Sequence, residues 1–253
     1  MKWLLLVVIS AFAVFGSVKK NSFDKKENNS SRKTYSSFAV LELFTSEGCS
    51  SCPPADRLLP RLATANTNII PLSFHVDYWD HLGWKDRFSD AEYSERQKAY
   101  ARQLRLESIY TPQLIINGEY ELVGSNRSTA EADINKALKE KSAVAVNIDE
   151  VKKENNKLLI GCSLTGSLNQ AEVAAALVQR HAETEVKTGE NGGARLTHTN
   201  VVRSFVQKAA KDKMQFEVEI PHDLNEDNLL LVVYTQEKKN LKITGVAVWE
   251  GRQ

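Results

Sequence analysis

The stretch Phe38-Ala-Val-Leu-Glu-Leu-Phe44, continuing Thr45-Ser-Glu-Gly-Cys49-Ser-Ser-Cys52-Pro53-Pro54, decides how this chain folds. Its first seven residues are apolar apart from Glu42, the pattern of a strand buried on both faces. Beyond the prolines, Ala55, Leu58, Leu59 and Leu62 recur at helical spacing up to about Asn66. Two adjacent prolines are tolerated only at a helix start, where the first amides have no partner to lose. Ile69 to Val76 (IIPLSFHV) is a second apolar run. Strand, helix and strand in that order predict a βαβ unit with a parallel strand pair.

The cysteine pair lies where the first strand turns into this helix. Two cysteines separated by two residues can close a disulfide across a first helical turn. Cys49 is expected just ahead of the helix, where free amides and the positive dipole end favour a thiolate and solvent reaches it. Cys52 is expected to be the more covered sulfur, placed to resolve a mixed disulfide formed at Cys49.

Downstream, Asp77 to Leu106 reads as a loop and then a charged helix opened by a capping box at Ser89-Asp-Ala-Glu92. Tyr110-Thr111-Pro112 leads into Gln113-Leu-Ile-Ile116. Asn117-Gly118 supplies the positive φ angles of a tight turn, and Glu119 to Val123 returns. Ser128-Thr-Ala-Glu131 opens a third helix, with Ala130, Ile134, Ala137 and Leu138 on one face. After Ser142 the pattern becomes β: Val144–Val151, Leu158–Leu164, Ala171–Arg180, Gln215–Ile220, Leu229–Gln236 and Ile243–Trp249 read as strands. A boundary is expected near Lys141–Ala143.

Working back to the N-terminus, Met1-Lys2 precedes the uncharged run Trp3 to Gly16, which ends in small residues. That is the form of a secretory signal, and the run is shorter than the roughly 20 residues that span a bilayer. Residues 1–16 are therefore expected to be a signal peptide and 17–37 a polar disordered tether. Asn28, Asn29 and Asn126 head Asn-x-Ser triplets, relevant only in a glycosylating host. The 253 residues carry 33 basic and 32 acidic side chains, a net charge of +1, which excludes the basic field of a nucleic-acid binder. Three cysteines are too few for a disulfide-built scaffold.

Other candidate residues stand beside structural readings. His75-Val-Asp-Tyr-Trp79-Asp-His81-Leu-Gly-Trp84 follows the second strand and would emerge near the cysteines. Trp79 and Trp84 could line a substrate rim or simply cap the core. His75 and His81 could join Cys49 and Cys52 around a metal. Cys162 stands in a predicted strand as a small buried apolar residue. Thr188-Gly-Glu-Asn-Gly-Gly-Ala-Arg-Leu196 is glycine-rich but lacks the ending of a phosphate loop, so it reads as a mobile connection. His198 and Arg203 carry no assigned chemistry.

The order strand–CxxC–helix–strand, then Thr111-Pro112 before a hairpin and a last helix, resembles the thioredoxin fold. More narrowly, LELFTSEGCSSCPPADRLLP, FHVDYWDHLGWKDRFS, YTPQLIINGEYELVGS and LTHTNVVRS are similar to the DUF1223 family of exported thioredoxin-like proteins of unassigned function. The resemblance implies an α/β thioredoxin-like domain at 38–141, a central mixed sheet with flanking helices. A smaller, mostly antiparallel β-sandwich-like domain would follow at 143–253. It also implies that Pro112 is a cis proline beside the cysteines and that Thr111 contacts substrate. By the same likeness, with a one-residue shift, Glu42 is a buried acid that takes a proton from Cys52, the other reading being a partly exposed or paired carboxylate. The chain departs from thioredoxin in its Ser-Ser between the cysteines and in Glu47-Gly48 before them. Copper-handling proteins of the Sco kind are also similar, but they place three residues between their cysteines.

The expected function is thiol-disulfide exchange with thiol- or disulfide-bearing proteins and a redox partner, outside the cytoplasm. Cys49 attacks, Cys52 resolves, Thr111, Pro112, Trp79 and Trp84 bind substrate, and Glu42 moves a proton. No cofactor is required, because the electrons reside on the sulfur pair. Nucleic acid is not an expected partner, and membrane contact is expected only if residues 1–16 are retained. Two rivals are a metal-binding protein using Cys49, Cys52, His75 or His81, and a partner-binding module whose disulfide is an inert staple.

Overall fold

A computed structural model describes residues 31–251, so the expected signal and most of the expected tether lie outside the described residues. The strands are β1 (Ser31–Thr34), β2 (Ala39–Thr45), β3 (Ile69–His75), β4 (Gln113–Ile116), β5 (Tyr120–Val123), β6 (Val144–Glu154), β7 (Lys157–Gly166), β8 (Ala171–Glu185), β9 (Arg195–Ala209), β10 (Lys213–Glu219), β11 (Leu229–Glu237) and β12 (Ile243–Glu250). The helices are α1 (Pro53–Thr64), α2 (Ala91–Leu104) and α3 (Arg127–Ala137).

The βαβ unit forms as its sequence dictates. β2 and β3 are buried along their whole length and pair in parallel, with Thr45 opposite His75. Both prolines open α1, which buries Ala55, Leu58, Leu59 and Leu62. The hairpin between β4 and β5 turns through Asn117 at φ 49° and Gly118 at φ 74°. A side chain at Gly118 would run into the carbonyl of Leu241, so only glycine fits that close approach. Helix starts shift slightly: Asp90 caps α2, accepting from the Glu92 N–H, and Asn126 caps α3, accepting from the Thr129 N–H.

The expected helix-flanked thioredoxin-like architecture is not what forms. Among the described residues the protein is mostly β, with one nine-stranded mixed sheet ordered β1-β12-β11-β8-β9-β3-β2-β4-β5. A separate three-stranded antiparallel sheet is ordered β10-β7-β6. The physical reason lies in β3. Its outer edge pairs in parallel with β9, Ser73 opposite Val201, so strands from the C-terminal half extend the sheet. β1, within the stretch expected to be a tether, adds an edge strand to β12.

Alternation along the strands separates three cores. On one face, Val40, Phe44, Phe74, Ala176, Val232 and Tyr234 form a core that runs through both halves, with Tyr93 and Tyr100 of α2 packed into it. On the other face, α1 and α3 cover Leu41, Leu43 and Leu114, while the three-stranded sheet covers Val173, Leu177 and Val233. A second sheet and two helices thus share one face of the nine-stranded sheet. Ser142 ties the halves together, its N–H bonded to the Ser36 carbonyl at 2.8 Å and its Oγ donating to the Thr244 carbonyl of β12 at 3.1 Å.

Candidate active site

Cys49 and Cys52 are joined in a disulfide with their Cα atoms 5.5 Å apart. Cys52 is the residue that caps α1, and the Ala55 and Asp56 N–H groups bond its carbonyl. The Ser51 hydroxyl lies 3.3 Å from the Cys49 sulfur and also donates to the Thr111 carbonyl. The Thr111–Pro112 bond is cis. Trp79 Nε1 donates to Thr111 Oγ1 at 2.9 Å, and Gly48 leaves room for the Trp79 Cβ, which an added methyl would meet at 3.1 Å. Trp84 Nε1 donates to Glu47 Oε2 at 2.8 Å. Cys49, Cys52, Thr111, Pro112, Trp79 and Trp84 therefore surround one place.

Two expectations change here. Cys49 is as covered as Cys52, both sulfurs having no exposed surface. The connection between β8 and β9 folds back onto the cysteine turn and bonds its backbone on either side of Cys49. Glu42 is the second change. It points to the face of β2 opposite α1, where Arg96 and the hydroxyls of Tyr100 and Tyr234 hold its carboxylate. Arg96 also lies over the rings of Phe205 and Tyr100 at 5.0 and 5.1 Å. That arrangement makes Glu42 half of a buried ion pair.

The acids near the cysteines are others. Asp56, one turn into α1, accepts from Thr45 Oγ1 at 2.9 Å. Glu47 precedes Cys49 by two residues and is fully buried. His198 of β9 stands between them, Nε2 at 3.4 Å from Glu47 Oε1 and Nδ1 at 3.8 Å from Asp56 Oδ2. His75, at the end of β3, bonds Asp86 Oδ2 through Nδ1 at 2.6 Å, and its ring meets that of His198 edge-on at 4.7 Å between centres. Asp86 is further held by the N–H groups of Glu47 and Phe88, both at 2.9 Å.

This cluster is buried, charged and incompletely bonded. Glu47 Oε1, His75 Nε2 and both ring nitrogens of His198 make no hydrogen bond. Buried polar atoms are nearly always partnered, so such a group calls for a reason. Burial opposes charge on His75, but Asp86, then Asp56 and Glu47, outweigh it and hold its pKa above the ordinary histidine value. Burial also works against the Asp86 carboxylate, yet His75 and the two backbone amides bring its pKa below the usual range. Asp56 goes the other way, since burial raises its pKa despite His198 and His75. The site thus holds an ion pair, a carboxyl that favours its proton, and free ring nitrogens. Groups of this kind can supply or accept a proton in a place water does not reach.

The alternative metal set is not assembled. His81 is exposed on a turn, His75 is turned to Asp86, and among the described residues no group of three or more His, Cys, Asp and Glu is placed to hold a metal. Cys162 lies buried in β7, and burial pushes its thiol up to about 11. Arg203 bonds Gln179 and Asp223, away from the sulfurs. His198 is the functional candidate that periodicity missed, and its only signal was its place in the block LTHTNVVRS.

No curated protein matches the chain. A crystal structure of a protein from Agrobacterium tumefaciens, solved as a structural genomics target, is similar at 26% identity and a TM-score of 0.64, over 87% of this chain and 97% of that one. HBP35 of Porphyromonas gingivalis shares the fold at 14% identity and a TM-score of 0.64, over 86% of this chain and 76% of that one. Residues 40–236 match the family described as Protein of unknown function (DUF1223). This chain belongs to the DUF1223 family.

Proposed function

We propose that this chain is an exported thiol-disulfide oxidoreductase acting on protein thiols through Cys49 and Cys52. The observation that carries the reading is the pairing of a disulfide at a helix start with a buried cluster of acids and histidines whose atoms lack partners. A structural cross-link has no need of such groups, whereas exchange has to move protons as well as electrons. Export rests on the form of residues 1–16.

In the oxidising direction, a partner thiolate attacks the Cys49 sulfur. A new S–S bond forms to Cys49, the Cys49–Cys52 bond breaks, and Cys52 leaves as a thiolate that takes up a proton. A second partner thiolate then displaces Cys49, which is protonated in turn. Two electrons pass from the partner's two sulfurs to the cysteine pair, and the partner leaves with a disulfide. The reverse steps reduce a partner's disulfide. Asp56 and His198 would be the groups that exchange the protons. Thr111, Pro112, Trp79 and Trp84 would shape the partner's approach.

The test is covalent trapping with Cys52→Ser, which leaves Cys49 without its resolving thiol. Mixed disulfides through Cys49 that disappear when Cys49 is also replaced by serine are the expected result. A Cys49 that reacts with an alkylating probe yet captures no protein would overturn the reading. The inert staple remains as a second reading because neither sulfur has exposed surface. It predicts that no partner is trapped.

A further inference from the structure

The β8–β9 connection does more than join two strands. Val186 and Ala194 close its base with an N–H to carbonyl bond of 2.9 Å, and Gly193 donates to the Val186 carbonyl at 2.8 Å. Its tip reaches the cysteine turn. Asn191 Nδ2 donates to the carbonyls of Glu47 at 2.8 Å and Cys49 at 3.0 Å. Glu190 Oε2 accepts the Ser50 N–H at 3.1 Å. Thr188 Oγ1 bonds the Gly83 carbonyl. Gly189, at φ 75°, lies against Trp84, and a methyl there would stand 3.1 Å from the Trp84 Cβ. The tip therefore uses the backbone groups on either side of Cys49.

Little besides these polar contacts holds the tip down. Thr188, Gly189, Glu190, Gly192 and Gly193 are all exposed, and Gly193 would have nothing within 4 Å of an added Cβ. Loops fixed by a few surface hydrogen bonds, with no apolar residue buried at the tip, are the ones that open locally at low cost. Beneath it the two sulfurs have no exposed surface. The segment bonded to the cysteine turn can thus leave without disturbing the cores.

We propose that residues 188–193 are a lid that occupies the place of a partner's polypeptide, engaging the Glu47 and Cys49 carbonyls and the Ser50 amide until a partner displaces it. Asn191 offers the donor, and Glu190 the acceptor, that an extended partner chain would offer from its own backbone. Opening exposes Cys49 and frees these three backbone groups together, so access to sulfur and recognition of the partner are one event. This deepens the exchange reading and rests on it.

The test is the rate at which a water-soluble phosphine reduces the Cys49–Cys52 disulfide in the folded full chain, for the wild type and for Asn191→Ala combined with Glu190→Ala. Reduction at least about tenfold faster in the double variant is expected, the scale of losing two or three surface hydrogen bonds. Rates within about twofold of each other would overturn the lid. Glu190→Ala alone, which removes the acceptor for the Ser50 N–H and keeps the Asn191 contacts, is expected to fall between, and its melting curve checks that the fold survives. The lid and the exchange reading fail separately. Faster reduction with nothing trapped by Cys52→Ser keeps the lid and removes exchange. A trapped partner with unchanged reduction rates keeps exchange and removes the lid.

Discussion

β2 carries one buried charged cluster on a face and leads into another beyond its C-terminal end, and the two are built differently. On one face, Glu42 sits with Arg96, Tyr100 and Tyr234, and every carboxylate oxygen has a donor. Beyond its C-terminal end, Glu47 joins Asp56, His75, Asp86 and His198, where four buried polar atoms lack any hydrogen bond. The first cluster lies between the two halves of the great sheet, tying β2 and α2 to Tyr234 of β11. The second lies under the disulfide. Full satisfaction marks a structural tie, because a buried charge pair is tolerated only when its hydrogen bonds are complete. Incomplete satisfaction calls for a reason, and under the exchange reading that reason is proton transfer to and from the cysteines.

The contrast predicts unequal costs of mutation. Glu42→Gln leaves the Arg96 charge buried and unpaired, and should remove about 3–5 kcal/mol of stability, read by urea unfolding. His198→Phe replaces an unbonded ring by an apolar one of similar size among Phe88 and His75, and should cost less than about 1.5 kcal/mol. The redox effects should be inverted, with the His198 variant changing the pH profile of disulfide reduction and the Glu42 variant leaving it alone. A stability loss at His198 as large as that at Glu42 would erase the distinction.

Acidity gives a smaller and separate signature. His75 has a raised pKa, so its ion pair contributes stability fully below the ordinary histidine pKa and loses it as pH rises through the folded value. Asp86, with a lowered pKa, contributes above the ordinary carboxylate range and loses that contribution as pH falls through its folded value. Asp56 favours its proton when folded, so deprotonation at rising pH also weakens the fold. Around Glu42, burial pushes Tyr100 and Tyr234 well above their ordinary pKa, and neither group titrates near neutrality. Stability measured in urea from pH 4 to 9 should therefore decline on the alkaline side, and His75→Gln should flatten that decline. An unchanged slope in the variant would remove His75 as its source.

The first half of the chain was largely legible. Apolar runs set β2 and β3, the double proline set the start of α1, and Asn117-Gly118 set the hairpin. The sheet's true extent was hidden in β9. Its residues, RLTHTNVVRSFVQKA, interleave threonine, histidine, asparagine and arginine with apolar residues, and much of the strand is only half-buried. Without β9, the βαβ unit reads as a closed helix-flanked domain and the rest as a separate sandwich. The same omission hid His198, since a cluster drawn from β2, α1, β3 and β9 exists only once those strands are adjacent. It also hid the cover over Cys49. Glycines in Thr188–Gly193 signal a pliable connection, but what that connection rests on is a long-range fact of the β8–β9 hairpin.

Under the proposed exchange, Cys49 and Cys52 form a couple that cycles. The most direct measurement is the reduction potential of that disulfide, by equilibration of the full chain with glutathione buffers and alkylation of the products. An exchanging pair should show a reversible midpoint between about −270 and −120 mV, the range of exchange proteins. A disulfide that stays closed below about −300 mV would be a structural bond and would contradict it.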